Sequence, residues 1–79
     1  MIKTVDEIAE ILDCYRTTVN IFFGSFRLSK YVLGRNQINW TDETPRDLLE
    51  FLKTKRQKQV TLKYIARLKE YIDNFKVEI

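Results

Sequence analysis

Few side chains in this sequence can do covalent or acid–base chemistry. Its 79 residues include one cysteine and no histidine. The commonest general base is therefore missing, and neither a Cys/His zinc site nor an internal disulfide can form. Cys14 reads as filler at a turn. Asp6, Glu7 and Glu10 are spaced for solvation, and Asp42-Glu43 for helix capping. Gly24 and Gly34 are isolated, so no glycine-rich phosphate loop is present. Phe22, Phe23, Phe26 and Trp40 could stack on bases as in single-strand binders, but their spacing and neighbours favour core packing. What remains is hydrogen-bonding chemistry, concentrated in the run Arg16-Thr17-Thr18-Val19-Asn20. A guanidinium can pair twice with a guanine edge, and a carboxamide twice with an adenine edge. No catalysis and no cofactor are expected.

The elements around that run must hold it outward. Thr4 and Glu7 form a capping box, which starts a helix. Ile8, Ile11 and Leu12 give it one apolar stripe, and Ala9 is small enough for a second helix to cross closely. Asp13-Cys14-Tyr15 interrupts the pattern. A second helix then resumes at Arg16 with Val19 and Phe22 or Phe23 inward. Two short helices about a tight turn describe a helix-turn-helix, whose second helix enters the DNA major groove.

Downstream, Tyr31, Val32, Leu33, Ile38 and Trp40 are β-formers around the turn Gly34-Arg35-Asn36-Gln37. This predicts a hairpin whose polar, cationic tip either lies along phosphates or reaches into a minor groove, or else belongs to a hairpin that only covers the core. Thr41–Pro45 offers capping groups and a proline suited to a helix start. Leu48, Leu49, Phe51 and Leu52 then form an apolar face, followed by the cationic run Lys53–Lys58. Those cations either complement a helix end or touch phosphates. Ile65, Leu68, Ile72, Phe75 and Ile79 recur at 3, 4, 3, 4 spacing, the stripe of an amphipathic helix. One long helix from Pro45 is possible; two are preferred, because the stripe lapses across the polar run, with Thr61 as N-cap. The stripe packs either on its own domain or, as the preferred expectation, in a homodimer through Ile65, Leu68, Ile72 and Phe75.

The series TVDEIAEIL, RTTV, FRL, YVLGRNQI and LLEFL resembles the small excisionase and MerR-type winged helix-turn-helix domains over roughly residues 3 to 56. Asp13 stands where that pattern usually has Gly, Tyr15 where it has a small N-cap, and Phe26 at its corner Gly. The resemblance implies a mainly α fold with a β-hairpin wing, residues 1–57; the stripe read above adds an amphipathic helix over 58–79 within the same compact domain. It implies sequence-specific binding of double-stranded DNA, as a transcriptional regulator or excisionase-like factor of a phage or mobile element. Arg16, Thr17 and Asn20 would face the major groove, and Thr18 would contact a phosphate or cap locally. Arg27, Lys30, Arg35 and Asn36 would hold the backbone. Only the start of the second helix can serve, because Ile21-Phe22-Phe23 is apolar. The alternative is a protein-interaction module on the same scaffold, such as a small terminase subunit or a partner-binding inhibitor.

Size and charge agree with a small domain. A hydrophobic content of 44% supports a core, though a chain this short buries only about 60% of its unfolded surface. The net charge of +3 is uneven: residues 51–79 hold eight Lys or Arg against three acids. No leader-like run and no stretch long enough to span a bilayer appear, so a cytoplasmic setting is expected, with no membrane or small-molecule partner.

Overall fold

Thr4 Oγ1 accepts the Glu7 N–H at 3.1 Å, and Glu7 Oε1 accepts the Thr4 N–H at 3.0 Å. This reciprocal cap starts α1, Val5–Leu12, which buries Val5, Ile8, Ala9 and Leu12. The computed structural model describes residues 1–77, with side chains to position 74. α1 ends at Asp13 in the left-handed conformation (φ 56°), its N–H donating to the Ala9 and Glu10 carbonyls. Glycine is favoured there because it lacks a Cβ to clash. Asp13 holds the position with its carboxylate 2.9 Å from Lys63 Nζ.

The chain turns through Tyr15 into α2, Arg16–Phe23, which buries Val19, Phe22 and Phe23 against α1 and the rest of the core. A 3-10 turn at Ser29–Tyr31 then leads to β2, Val32–Gly34, and β3, Gln37–Asn39. A further strand, β1 at Ile2–Lys3, pairs antiparallel with β3, so the sheet order is β1-β3-β2. The expected hairpin is thus the larger part of a three-stranded sheet. Asn36, at φ 62°, makes its tight turn; Asn enters this region more readily than most residues.

Thr44 is wholly buried; its hydroxyl donates to the Asn39 carbonyl and accepts the Thr41 N–H, both at 2.8 Å. It opens α3, Thr44–Thr54, with Pro45 in the first turn and Leu48 and Leu52 wholly buried. Gln57 Nε2 donates to the Leu52 and Lys55 carbonyls, at 3.2 and 2.7 Å, and so satisfies acceptors left open where the helix ends. α4, Gln59–Val77, follows as a separate helix. It begins before Thr61, which lies buried within its first turn instead of capping it.

α4 packs on both α1 and α3. Ile65 is buried and Leu68 wholly so, in the core shared with Ile8, Leu12 and Leu52, and Ile72 packs against that core. Tyr71 meets Trp40 edge-to-face at 6.0 Å, and the indole N–H donates to its hydroxyl. Of the two expectations for this stripe, packing within the chain describes Ile65 and Leu68, which are buried inside their own chain. The Phe75 side chain and Ile79 lie outside the described residues. Phe26 is also corrected, being 96% exposed and no part of the core. Among the described residues the chain is mainly helical, with four α-helices and one small antiparallel sheet.

Candidate nucleic-acid interface

The inner face of α2 fixes what its outer face can present. Phe22 meets Phe51 and Tyr64 edge-to-face at 5.8 and 5.9 Å, and Lys55 Nζ lies 5.6 Å from the Phe22 ring centre. With Val19, Phe22 and Phe23 inward, helical spacing turns Thr17, Asn20, Ile21 and Gly24 outward together. All four are exposed. The Thr17 and Asn20 side chains have no protein hydrogen-bond partner among the described residues. α2 carries no carboxylate.

The expected site residues divide into three groups. On α2, Arg16 is exposed but its Nε lies 2.7 Å from Asp6 Oδ1 in the first turn of α1. An exposed pair like this contributes about 0–1 kcal/mol, so it orients the guanidinium more than it stabilises the fold. Thr18 is half-buried, and its N–H donates to the Tyr15 carbonyl at 3.0 Å. At the hairpin tip, Arg35 is exposed and without a partner among the described residues. Asn36 differs from the expectation: its Oδ1 accepts the Val5 N–H at 3.0 Å. That bond satisfies an open donor at the start of α1 and clamps the hairpin onto it. Through Val5 and Asp6 the hairpin tip and the start of α2 are therefore both tied to the first turn of α1.

The third group lies beyond the other end of α2, where Phe26, Arg27, Ser29, Lys30 and Asp47 line a surface cleft. Arg27 has no ion-pair partner among the described residues. Lys30 Nζ is 3.5 Å from Asp47 and 5.3 Å from the centre of the Tyr31 ring. The Tyr31 hydroxyl donates to Asp47. Burial, then that hydrogen bond to a carboxylate, pushes the phenol up to about 12. Arg27 and Lys30 are brought together, and Arg35 is not among the residues lining their cleft.

The C-terminal cations serve two purposes. Lys63 Nζ donates to the Asp13 carbonyl at 3.2 Å, and Arg67 Nε to the Ile11 carbonyl at 3.1 Å. These bonds meet the carbonyl end of α1, whose last turn has no cation of its own. The Lys63 hydrogen bond and charge also hold the Asp13 carboxyl below its ordinary range. Lys55 lies over the Phe22 and Phe51 rings. Arg56 and Lys58 are exposed without an ion-pair partner among the described residues. Half-buried Cys14 has its thiol pushed up, first by burial and then by Asp13, which disfavours the reactive thiolate.

Sequence reasoning missed Asp6 as the holder of Arg16, and Ile21 and Phe26 as exposed apolar groups. Outward position 21 does follow from the helical spacing once Phe22 and Phe23 are both turned in. No helix among the described residues is long and apolar enough to cross a membrane. No family model, curated protein or solved structure matches the chain.

Proposed function

We propose that the chain binds double-stranded DNA as a small winged helix-turn-helix unit, with α2 as recognition helix and the β2–β3 hairpin as wing. One observation carries the reading: α2 is anchored by three buried side chains and presents Thr17 and Asn20 outward, without protein hydrogen-bond partners, on a helix free of carboxylates. An α-helix of about 10–12 Å diameter fits a major groove about 12 Å wide. Arg27, Arg35, Arg56 and Lys58 are exposed cations without an ion-pair partner among the described residues, and Lys30, beside Asp47, is a fifth that a phosphate could share. The resemblance of the sequence to excisionase and MerR-type domains supports a role as a regulator or recombination factor of a mobile element. A symmetric dimer through Ile65 and Leu68 is not part of the proposal, because both are buried in their own chain.

Salt dependence tests the reading. Five phosphate contacts give a log–log slope of about −4.5, or a loss of about 500-fold in affinity between 50 and 200 mM salt. A second reading rests on Ile21 at 68% and Phe26 at 96% exposure: these apolar side chains suit a protein partner. That reading is favoured if no duplex is retained at 50 mM salt.

A further inference from the structure

We infer that α2 reads an A·T base pair, with Asn20 on the adenine and the Ile21 side chain against the thymine methyl, and that Arg16 is not its principal base-reading group. The inference rests on the DNA-binding reading above and names the base pair that reading leaves open. Asn20 and Ile21 are successive exposed residues on the outward face, and Thr17 stands one turn before them. A carboxamide matches the N6–H donor and N7 acceptor of adenine, and an aliphatic side chain matches the C5-methyl of thymine.

The competing guanine reader is encumbered. To offer two donors to guanine, Arg16 must surrender or share the contact its Nε makes with Asp6 at 2.7 Å. Asn20 and Ile21 surrender nothing, because neither side chain has a protein hydrogen bond to break. Charge favours a polyanion along this face, since α2 has no carboxylate and Arg27 follows it. Gly24 adds no side chain to the exposed face below Ile21, which lets that end of the helix approach a groove wall.

The test uses the full chain with duplexes enriched from a random pool at 50 mM salt. In the enriched site, each thymine is replaced in turn by deoxyuridine, which removes only the methyl, and each adenine by 7-deazaadenine, which removes N7. One thymine replacement should weaken binding about fourfold, the equivalent of one methyl group. That loss should vanish in Ile21→Ala, whose exposed position leaves folding intact. One adenine replacement should weaken binding about tenfold and have no effect in Asn20→Ala. Indifference of the native chain to every deoxyuridine and 7-deazaadenine replacement would overturn the inference while leaving DNA binding intact. A site of G·C pairs whose preference disappears in Arg16→Ala would overturn it too. Failure to retain any duplex would overturn the DNA-binding reading itself, and this inference with it.

Discussion

Leu68 decides whether α4 belongs to its own domain or to a seam between chains, and Leu68→Ala separates the two. Its side chain is 0% exposed and shares a core with Ile8, Leu12, Leu48 and Leu52. Truncating such a leucine removes its burial and leaves a cavity, at a cost of about 2–5 kcal/mol. A domain of 79 residues has a total stability of about 4–12 kcal/mol, so the loss is a large fraction of the whole. Urea unfolding followed by Trp40 fluorescence is a suitable assay, because Trp40 is buried and its indole N–H bonds to Tyr71 on α4. With a urea m-value of about 1 kcal/mol/M for so small a protein, the midpoint should fall by about 2 M or more. Leu62→Ala is the control: Leu62 is exposed, and such a change should stay within about 0.5 kcal/mol. The reasoning is refuted if Leu68→Ala leaves the midpoint unmoved while the native transition shifts with protein concentration, the signature of a seam between chains.

Other substitutions test individual contacts. Thr4→Ala should cost about 1 kcal/mol of stability in thermal unfolding, from loss of the capping box. Asn36→Gly keeps the backbone turn but removes the acceptor for the Val5 N–H; it should cost about 1 kcal/mol and speed hydrogen exchange at that amide. The Asp13 carboxyl is held below its ordinary value of 3.8 by Lys63. Its contribution is therefore present above that pH and lost as the pH falls through the lower folded value. Asp13→Asn should flatten that acid limb of the stability profile, and an unchanged limb would dismiss the pair. Arg35→Ala should weaken binding to all duplexes alike and make the salt slope shallower by about one unit.

Local chemistry made much of this fold readable in the sequence. The Thr4/Glu7 cap, the Ile8 and Leu12 stripe and the turn at Arg35-Asn36 each declare themselves within a few residues. Asp13 was legible as a departure from glycine at a turn, and its left-handed backbone is why glycine is favoured there. Contacts between distant parts were not legible. The Asn36–Val5 bond spans 31 positions and the Arg67–Ile11 bond 56, and no periodicity announces either. Strand β1 is two residues long, too short to alternate. The stripe of α4 was visible, but its spacing is the same whether it faces a second chain or its own α1 and α3. Position 26 shows the same limit, since an aromatic residue in a loop carries no mark of which way it points. For the candidate site, the residue types on α2 could be read directly. The engagement of Arg16 with Asp6 and of Asn36 with Val5 appeared only when the helices and hairpin were placed together.

Backbone amide shift mapping during titration with random-sequence duplex at 50 mM salt tests the central claim most directly. Shifts are expected on residues 16–27, along α2 and into the Arg27–Lys30 cleft, on the hairpin tip at 34–36 and beside Arg56 and Lys58, with the exposed face of α4 at 66–74 unmoved. Absence of shifts anywhere, or shifts confined to 53–58 and α4, would contradict it.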